Sequence, residues 1–270
     1  MSEVPRGGSP APKATNARVA EGGLQTTAMI ALFTDFGLAG PYTGQVIAVL
    51  HREVPEAAVI PLFADAPACE PKPSAYLLAA YAAWFPPGTV LLAVVDPGVG
   101  GDRRPVVVEA DGRRYVGPEN GLFEIVLRRA TTPRCWEIAW HPPVLSASFH
   151  GRDLFAPVAA RLARGEDCAT LGREVAASRR PEWPDDLAEI VYIDHYGNAL
   201  TGLRGETVPA TARLLAGGRA IAAADTFSAV AEGEPIWYVN SNGLAEIAVN
   251  RGRAAERLGL AIGTPIAVIA

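Results

Sequence analysis

Cysteine is scarce in this 270-residue chain, with Cys69, Cys135 and Cys168 making up the whole complement. They are scattered without CxxC spacing, which excludes a disulfide framework and a thiolate metal site; they read as buried small hydrophobes in a reducing cytoplasm. Histidine is almost as rare. His51, His141, His150 and His195 show neither HExxH nor HxH spacing, so no metal centre is expected. No GxSxG elbow and no P-loop occur, and Gly98-Val99-Gly100 lacks the third glycine of a dinucleotide fingerprint, so no bound cofactor is expected. An excess of positive charge is missing too. The formal net charge is −5 with acids and bases interspersed, which argues against nucleic acid and anionic membrane as partners. No apolar run reaches membrane length free of Pro, Gly or charge, and the longest candidate breaks at Phe85-Pro86-Pro87-Gly88, so no membrane span is expected. The stretch from Met1 to Thr27 is rich in Gly, Pro, Ala and polar residues without an apolar run. Residues 1–28 therefore read as a flexible tail rather than a signal peptide, and the protein is expected in the cytoplasm.

What is present is ample core material, 49% hydrophobic, in a recognisable order. Met29 to Phe33 is a short apolar run ended by Thr34-Asp35-Phe36-Gly37, a buried strand and its exit loop. An amphipathic helix over Tyr42 to Arg52, a strand over Val59 to Phe63, a helix opened by proline over Pro73 to Trp84 and a strand over Val90 to Val95 follow. That alternation predicts an α/β fold whose N-terminal domain, residues 29–180, has a central, mostly parallel sheet. Asp111-Gly112 between two β-rich runs predicts a hairpin, and helices are expected over Leu122 to Arg129 and Asp153 to Arg164. The polar, proline-bearing stretch Ser178 to Asp186 reads as a linker. Beyond it, short β-rich runs at 189–193, 212–215, 221–224, 235–240 and 265–269 predict a smaller β domain over 187–270.

The strand ends carry more polar groups than plain turns need: Asp35, Asp96 with Arg103, Glu119-Asn120, His150 with Arg152 and Asp153, Asp194 with Asn198, and Asn240-Ser241-Asn242. Each has a local explanation. Asp35 can stabilise its own turn, Asp153 can cap its helix, and Asp194 and Asn198 can serve an Asx turn. His51 and His141 read as bystanders. His150, in Phe149-His150-Gly151-Arg152-Asp153 at a helix entrance, is placed where loops converge, and its imidazole can exchange a proton near neutral pH. The loop Val95-Asp96-Pro97-Gly98-Val99-Gly100-Gly101-Asp102-Arg103 leaves a buried strand with an acid, three glycines and an arginine, at the end of a strand where open α/β sheets bind ligands.

In this order, Thr34-Asp35-Phe36-Gly37, the Asp96 loop, Tyr115-Val116-Gly117-Pro118-Glu119-Asn120-Gly121-Leu122, Phe149 to Asp153, Ile193-Asp194-His195-Tyr196-Gly197-Asn198 and Asn240-Ser241-Asn242-Gly243 resemble the S-adenosyl-L-methionine (SAM) hydroxide adenosyltransferases, adenosine-forming SAM hydrolases related to the fluorinase and chlorinase. The resemblance runs from about Ile30 to Ala270. It implies an N-terminal α/β domain with a smaller C-terminal β-barrel-like domain, assembled as a homotrimer that binds SAM between domains of neighbouring subunits. SAM would be the substrate and no further cofactor is implied. Asp35 would hold the ribose hydroxyls, Asp194 and Ser241 the methionine amino and carboxylate ends, and Asn198 the adenine edge. Val249, Asn250 and Arg251 would offer backbone groups to adenine. Asn242 stands where the halogenating relatives have an arginine, which leaves its part in carboxylate binding open. Asp96, Arg103 and His150 match the groups that surround the attacking water in the hydrolase branch.

The chemistry fits that match. Attack at ribose C5′ expels a neutral thioether from a sulfonium, so the leaving group needs no acid. Water, with a pKa of about 15.7, needs a proton acceptor or a cation beside the developing hydroxide. Arg103 can supply the cation, and Asp96 or His150 the acceptor; the sequence leaves open which. Two other readings remain at this point: a chlorinase-type halogenase, and a SAM- or adenosine-binding protein without turnover.

Overall fold

The computed structural model describes residues 27–269, so the tail expected over residues 1–28 lies almost entirely outside the described residues. The N-terminal part is built on a seven-stranded sheet in the order β2-β1-β3-β5-β4-β6-β7. Its strands are β1 (Met29–Thr34), β2 (Ala58–Phe63), β3 (Val90–Val94), β4 (Pro105–Ala110), β5 (Arg113–Pro118), β6 (Arg134–Ile138) and β7 (Gly172–Val175). The neighbours β2-β1-β3-β5 pair parallel, and β5-β4-β6-β7 pair antiparallel. Hence β2, β1, β3, β5 and β6 run one way while β4 and β7 oppose them. The central strands β1 and β3 are covered on both faces, which is why they read as unbroken apolar runs rather than alternating ones. One face is covered by α1 (Tyr42–Glu53) and α4 (Ala156–Ala163), the other by α2 (Pro71–Ala82) and α3 (Glu124–Arg129). The hairpin expected at Asp111-Gly112 joins β4 to β5, with both turn residues at positive φ, 48° and 74°.

This topology places the polar turns. The chain leaves β1 for β2 on one side and returns to β3 on the other, a switch in strand order that opens a crevice at the carboxyl edge. Asp35 follows β1, Asp96 follows β3 and Asn120 follows β5, three adjacent strands. His150 arrives from the other side, on a segment that enters α4 through a π-helical turn, Gly151–Phe155, where a plain α-helix from Asp153 was expected.

The C-terminal part contains two antiparallel sheets. One has the order β12-β13-β9-β8, formed by β8 (Leu187–Ile193), β9 (Ala199–Arg204), β12 (Pro235–Val239) and β13 (Leu244–Val249). The other has the order β11-β10-β14, formed by β10 (Arg213–Ala216), β11 (Arg219–Ala222) and β14 (Ala267–Ile269). Isolated bridges from Ala223 to Trp237 and from Glu189 to Pro265 join the two sheets at both edges. The result is a closed, barrel-like wall around Ile190, Leu214, Trp237 and Ile247. Between the two parts, residues 178–186 form no strand or helix, yet they are tied down. Glu124 is buried and accepts from Arg128, Arg179 and the Arg180 N–H, and Arg128 also donates to the Trp183 carbonyl at 2.7 Å. The Trp183 ring lies against Gly121, where any Cβ would come within 2.6 Å of it.

Candidate active site

The Asp96 loop is short and turns sharply back. Asn120 Nδ2 donates to the Val95 carbonyl at 2.8 Å and so fixes the residue before Asp96. Gly100 has φ of +80°, and its Cα packs so close to the Ala147 carbonyl that a Cβ would lie 2.6 Å from it. The glycine therefore lets the loop lie on the segment that carries His150. Arg103 returns its side chain to Asp96: Nε donates to Oδ1 at 3.1 Å and Oδ2 at 2.9 Å, and Nη2 donates to Oδ2 at 2.6 Å. The two side chains are only 10% and 5% exposed, so water screens this pair weakly. Phe155 closes the other side, its ring centroid 5.4 Å from the guanidinium.

Arg103 Nη2 also lies 2.8 Å from His150 Nδ1. A guanidinium can only donate, so Nδ1 accepts here, and the neutral ring carries its proton on Nε2. Burial, followed by the Arg103 charge, pushes the His150 pKa below its ordinary value, against the opposing pull of Asp96 and Asp153. The imidazole is thus neutral at neutral pH. Asp153 does not act as the cap expected of it; it accepts from the Ser146 N–H at 2.9 Å and from Arg152. Phe36, Tyr42 and Phe149 pack around this corner with ring centroids 5.4 to 6.4 Å apart, Phe149 edge to face with the other two.

Asp35 lies at the same edge. Its Oδ2 accepts from the Cys69 N–H at 2.9 Å. Burial raises the Asp35 pKa, the Cys69 N–H opposes the rise, and the charge of Asp96 adds to it. Cys69 is exposed and held at φ of +60°, a conformation that costs a non-glycine residue about 1 kcal/mol or more. This corrects the expectation that all three cysteines are buried hydrophobes, which holds for Cys135 and Cys168. Nothing in the sequence around Cys69 signals a left-handed residue.

The remaining expected site residues gather elsewhere, on the wall of an open cleft of about 880 Å³. Asp194, Asn198, Ser241, Asn242, Val249 and Arg251 all line it, while Asp35, Asp96, Arg103 and His150 do not. The Asp194 to Asn198 turn closes on itself: the Asn198 N–H donates to Asp194 Oδ1 at 2.8 Å and Asn198 Nδ2 to Oδ2 at 3.1 Å. Arg251 is exposed, left-handed at φ of +54°, and paired with Glu232. Sequence reasoning missed Tyr81, Phe227, Tyr238 and Glu246 on this wall. Glu246 lies inside β13, a strand that the sequence reading did not identify. It is 5% exposed and accepts from the Tyr238 hydroxyl and from Asn240 Nδ2. Burial raises its pKa, and those two hydrogen bonds oppose the rise. Among the described residues no cluster of three His, Cys, Asp or Glu side chains could hold a metal ion, and no helix is long and apolar enough to cross a membrane.

Known proteins resemble this chain over most of its length. The N-terminal domain of the SAM hydroxide adenosyltransferases matches residues 30–172 and their C-terminal domain residues 188–267. A Thermus thermophilus protein named (R)-S-adenosyl-L-methionine hydrolase is 41% identical over 254 residues, covering 87% of this chain and 97% of its own. A Salinispora tropica protein of the same name is 37% identical over 261 residues, covering 92% and 100%. The crystal structure of an uncharacterized conserved protein from Thermotoga maritima superposes with a TM-score of 0.82 at 29% identity, covering 90% of this chain and all of that one. With both domain matches in order over nearly the whole described chain, this protein belongs to the SAM hydroxide adenosyltransferase family.

Proposed function

We propose that this protein hydrolyses S-adenosyl-L-methionine to adenosine and L-methionine. The observation that carries the reading is the Asp96–Arg103–His150 constellation at the strand-order switch of a chain from this family. Water attacks ribose C5′; the C5′–O bond forms as the C5′–S bond breaks, and sulfur keeps the bonding pair and leaves as neutral methionine. The proton that water loses needs an acceptor. His150 Nδ1 is already engaged by Arg103, so the acceptor is Asp96, and His150 Nε2–H donates to the water oxygen and aims its free lone pair. Arg103 lowers the cost of developing hydroxide. A carboxylate on this wall repels halide, which weighs against the halogenase reading.

In the same reading Asp35 holds the ribose, Asp194 and Ser241 the methionine ends, and Asn198 with the Val249 to Arg251 backbone the adenine; Asn242 adds a neutral amide near the carboxylate. Asp35 and the triad lie outside the cleft that contains the other groups. This separation supports a homotrimer in which the N-terminal part of one subunit meets the C-terminal cleft of the next, giving the adenosyl and methionyl halves walls from two chains. The free cysteines support a cytoplasmic location. SAM itself is the substrate and no other cofactor enters.

The relatives' names specify the R configuration, so the test offers each sulfonium epimer separately. Purified protein is incubated with (R)- and (S)-SAM in 18O-water, and adenosine is followed by chromatography and mass spectrometry. Adenosine labelled at the 5′ oxygen, faster from the R epimer, is expected. Saturable binding without adenosine, or 5′-chloro-5′-deoxyadenosine in high chloride, would overturn the reading in favour of a binding protein or a halogenase respectively.

A further inference from the structure

Glu119 and Asn120 stand out in the sequence as polar groups that a plain turn does not need, and the chemistry proposed for the Asp96 loop makes no use of Glu119. The structure shows what it holds. Glu119 Oε2 accepts from Arg104 Nε at 2.6 Å, and Oε1 accepts from Arg104 Nη2 at 2.9 Å and from the Ser178 N–H at 2.8 Å. The Glu119 N–H in turn donates to the Arg104 carbonyl at 2.9 Å, so the two residues grip each other through backbone and side chain alike. The Glu119 side chain is 9% exposed and that of Arg104 31%, which makes this two-point pair firmer than a solvated one.

Each member of the dipeptide holds one half of the Asp96–Arg103 pair, at a distance of one residue. Asn120 Nδ2 fastens the Val95 carbonyl, next to Asp96, and its own Oδ1 accepts the Leu122 N–H at 3.2 Å, so the amide has one orientation. Glu119 fastens Arg104, next to Arg103. Arg104 precedes Pro105, which disfavours a helical backbone there, and in extended chain successive side chains leave on opposite sides. With Arg104 turned to Glu119, Arg103 leaves the other way and meets Asp96 Oδ2 at 2.6 Å and His150 Nδ1 at 2.8 Å. The strands give this grip a purpose. The β4–β5 ladder runs from the Ala110–Arg113 pair up to the Pro105–Pro118 pair, and neither proline has an N–H to donate. The Arg104–Glu119 pair, one step beyond, closes that end.

We infer that Glu119 is a positioning residue for the proposed reaction: by clamping Arg104 it sets the direction in which Arg103 reaches Asp96 and His150. The inference rests on the reading that these three groups surround the attacking water. Among the described residues Glu119 makes no hydrogen bond to any of the three, so it acts through Arg104. A catalytic group displaced by about an ångström costs up to about 100-fold in rate, whereas substrate held by other residues binds as before. The signature is a loss in kcat.

The test combines steady-state kinetics on SAM with an NMR titration of the His150 imidazole, assigned with His150→Gln. Glu119→Gln keeps the shape but gives up the charge and one acceptor, so kcat should fall about 10- to 100-fold with KM within about twofold. Arg104→Gln should do the same, and the two substitutions together should be no worse than either alone, since both break one link. Glu119→Asp retains the charge and should keep more of kcat than Glu119→Gln; it carries the test if Glu119→Gln does not fold. The second readout needs no turnover. Burial and then Arg103 hold the His150 pKa below its ordinary value against Asp96 and Asp153, and in Glu119→Gln a loosened Arg103 should let it climb toward about 6.5. Folded variants with wild-type kcat and an unmoved His150 titration, whatever their melting temperature, would overturn the inference, as would a rise in KM at constant kcat or additive losses in the double variant. A wild-type protein that releases no adenosine would defeat the proposed hydrolysis instead, and the titration would then decide this inference by itself.

Discussion

At the carboxyl edge of the parallel strands, three side chains are fastened to one another by a two-point ion pair and a shared guanidinium. The cleft beyond the linker is lined instead by carboxylates, amides and aromatic rings with no ion pair among Asp194, Asn198 and Glu246. In the proposed reaction the first region fixes charge where the nucleophile forms, and the second leaves hydrogen-bonding capacity for the ligand to complete. A group engaged in the first way acts on the barrier, and one engaged in the second way acts on binding. The comparison therefore assigns different kinetic signatures to residues that look alike in sequence, such as Asp96 and Asp194.

The largest expected effect is at Arg103. Arg103→Ala removes the cation beside the reacting oxygen and should lower kcat by about 10²–10³ with a small change in KM, measured by steady-state kinetics on protein verified as folded. A change confined to KM would erase the distinction between the two regions. Asp194→Ala is the counterpart. It should raise KM about 10- to 100-fold, the cost of one charge-assisted contact, while kcat stays within a few-fold. A collapse of kcat instead would mean that the cleft also shapes the transition state.

The smallest effect sharpens the first region alone. His150 has a folded-state pKa below its unfolded value, so as pH falls the unfolded chain takes up the proton first. Its neutral form is retained through neutral pH, and stability begins to decline below the ordinary imidazole value of about 6.5. Protonation of Nδ1 would also set an N–H against Arg103. A pH–rate profile should thus stay level through pH 7 and fall by a few-fold on an acid limb lying below 6.5. His150→Gln should remove that limb, and its persistence would assign it to another group.

Much of this was legible in the sequence for physical reasons. β1 and β3 are buried on both faces, so their apolar runs needed no other signal, and the Asp111-Gly112 step could serve only a turn with two positive φ angles. The polar strand ends stood out because nothing apolar competes with them there. The strands β9 and β13 did not stand out. They lie in the middle of the C-terminal sheet, but Ala199-Leu200-Thr201-Gly202 and Leu244-Ala245-Glu246 are poor in β-branched residues, and pairing on both sides holds them extended despite weak local preference. Glu246 was lost with its strand. A buried acid can be recognised only from the donors around it, and those come from Tyr238 and Asn240, which meet it only in three dimensions. Cys69 is the same case in the backbone: its φ is imposed by what it must reach, not by what it is.

The pinned segment between the two parts has a further consequence. Composition alone makes residues 178–186 resemble a hinge that a protease would cut, yet Glu124 and Arg128 take up its backbone and Trp183 fills the hollow over Gly121. Cutting or loosening it would uncover Glu124, which is buried with two arginines and an amide gathered on it, and would part the α2 face from β8 and β9. The chain therefore has no inexpensive way to open at its middle: melting of either part drags the other with it, and heat or urea should meet one cooperative unit rather than two beads on a string.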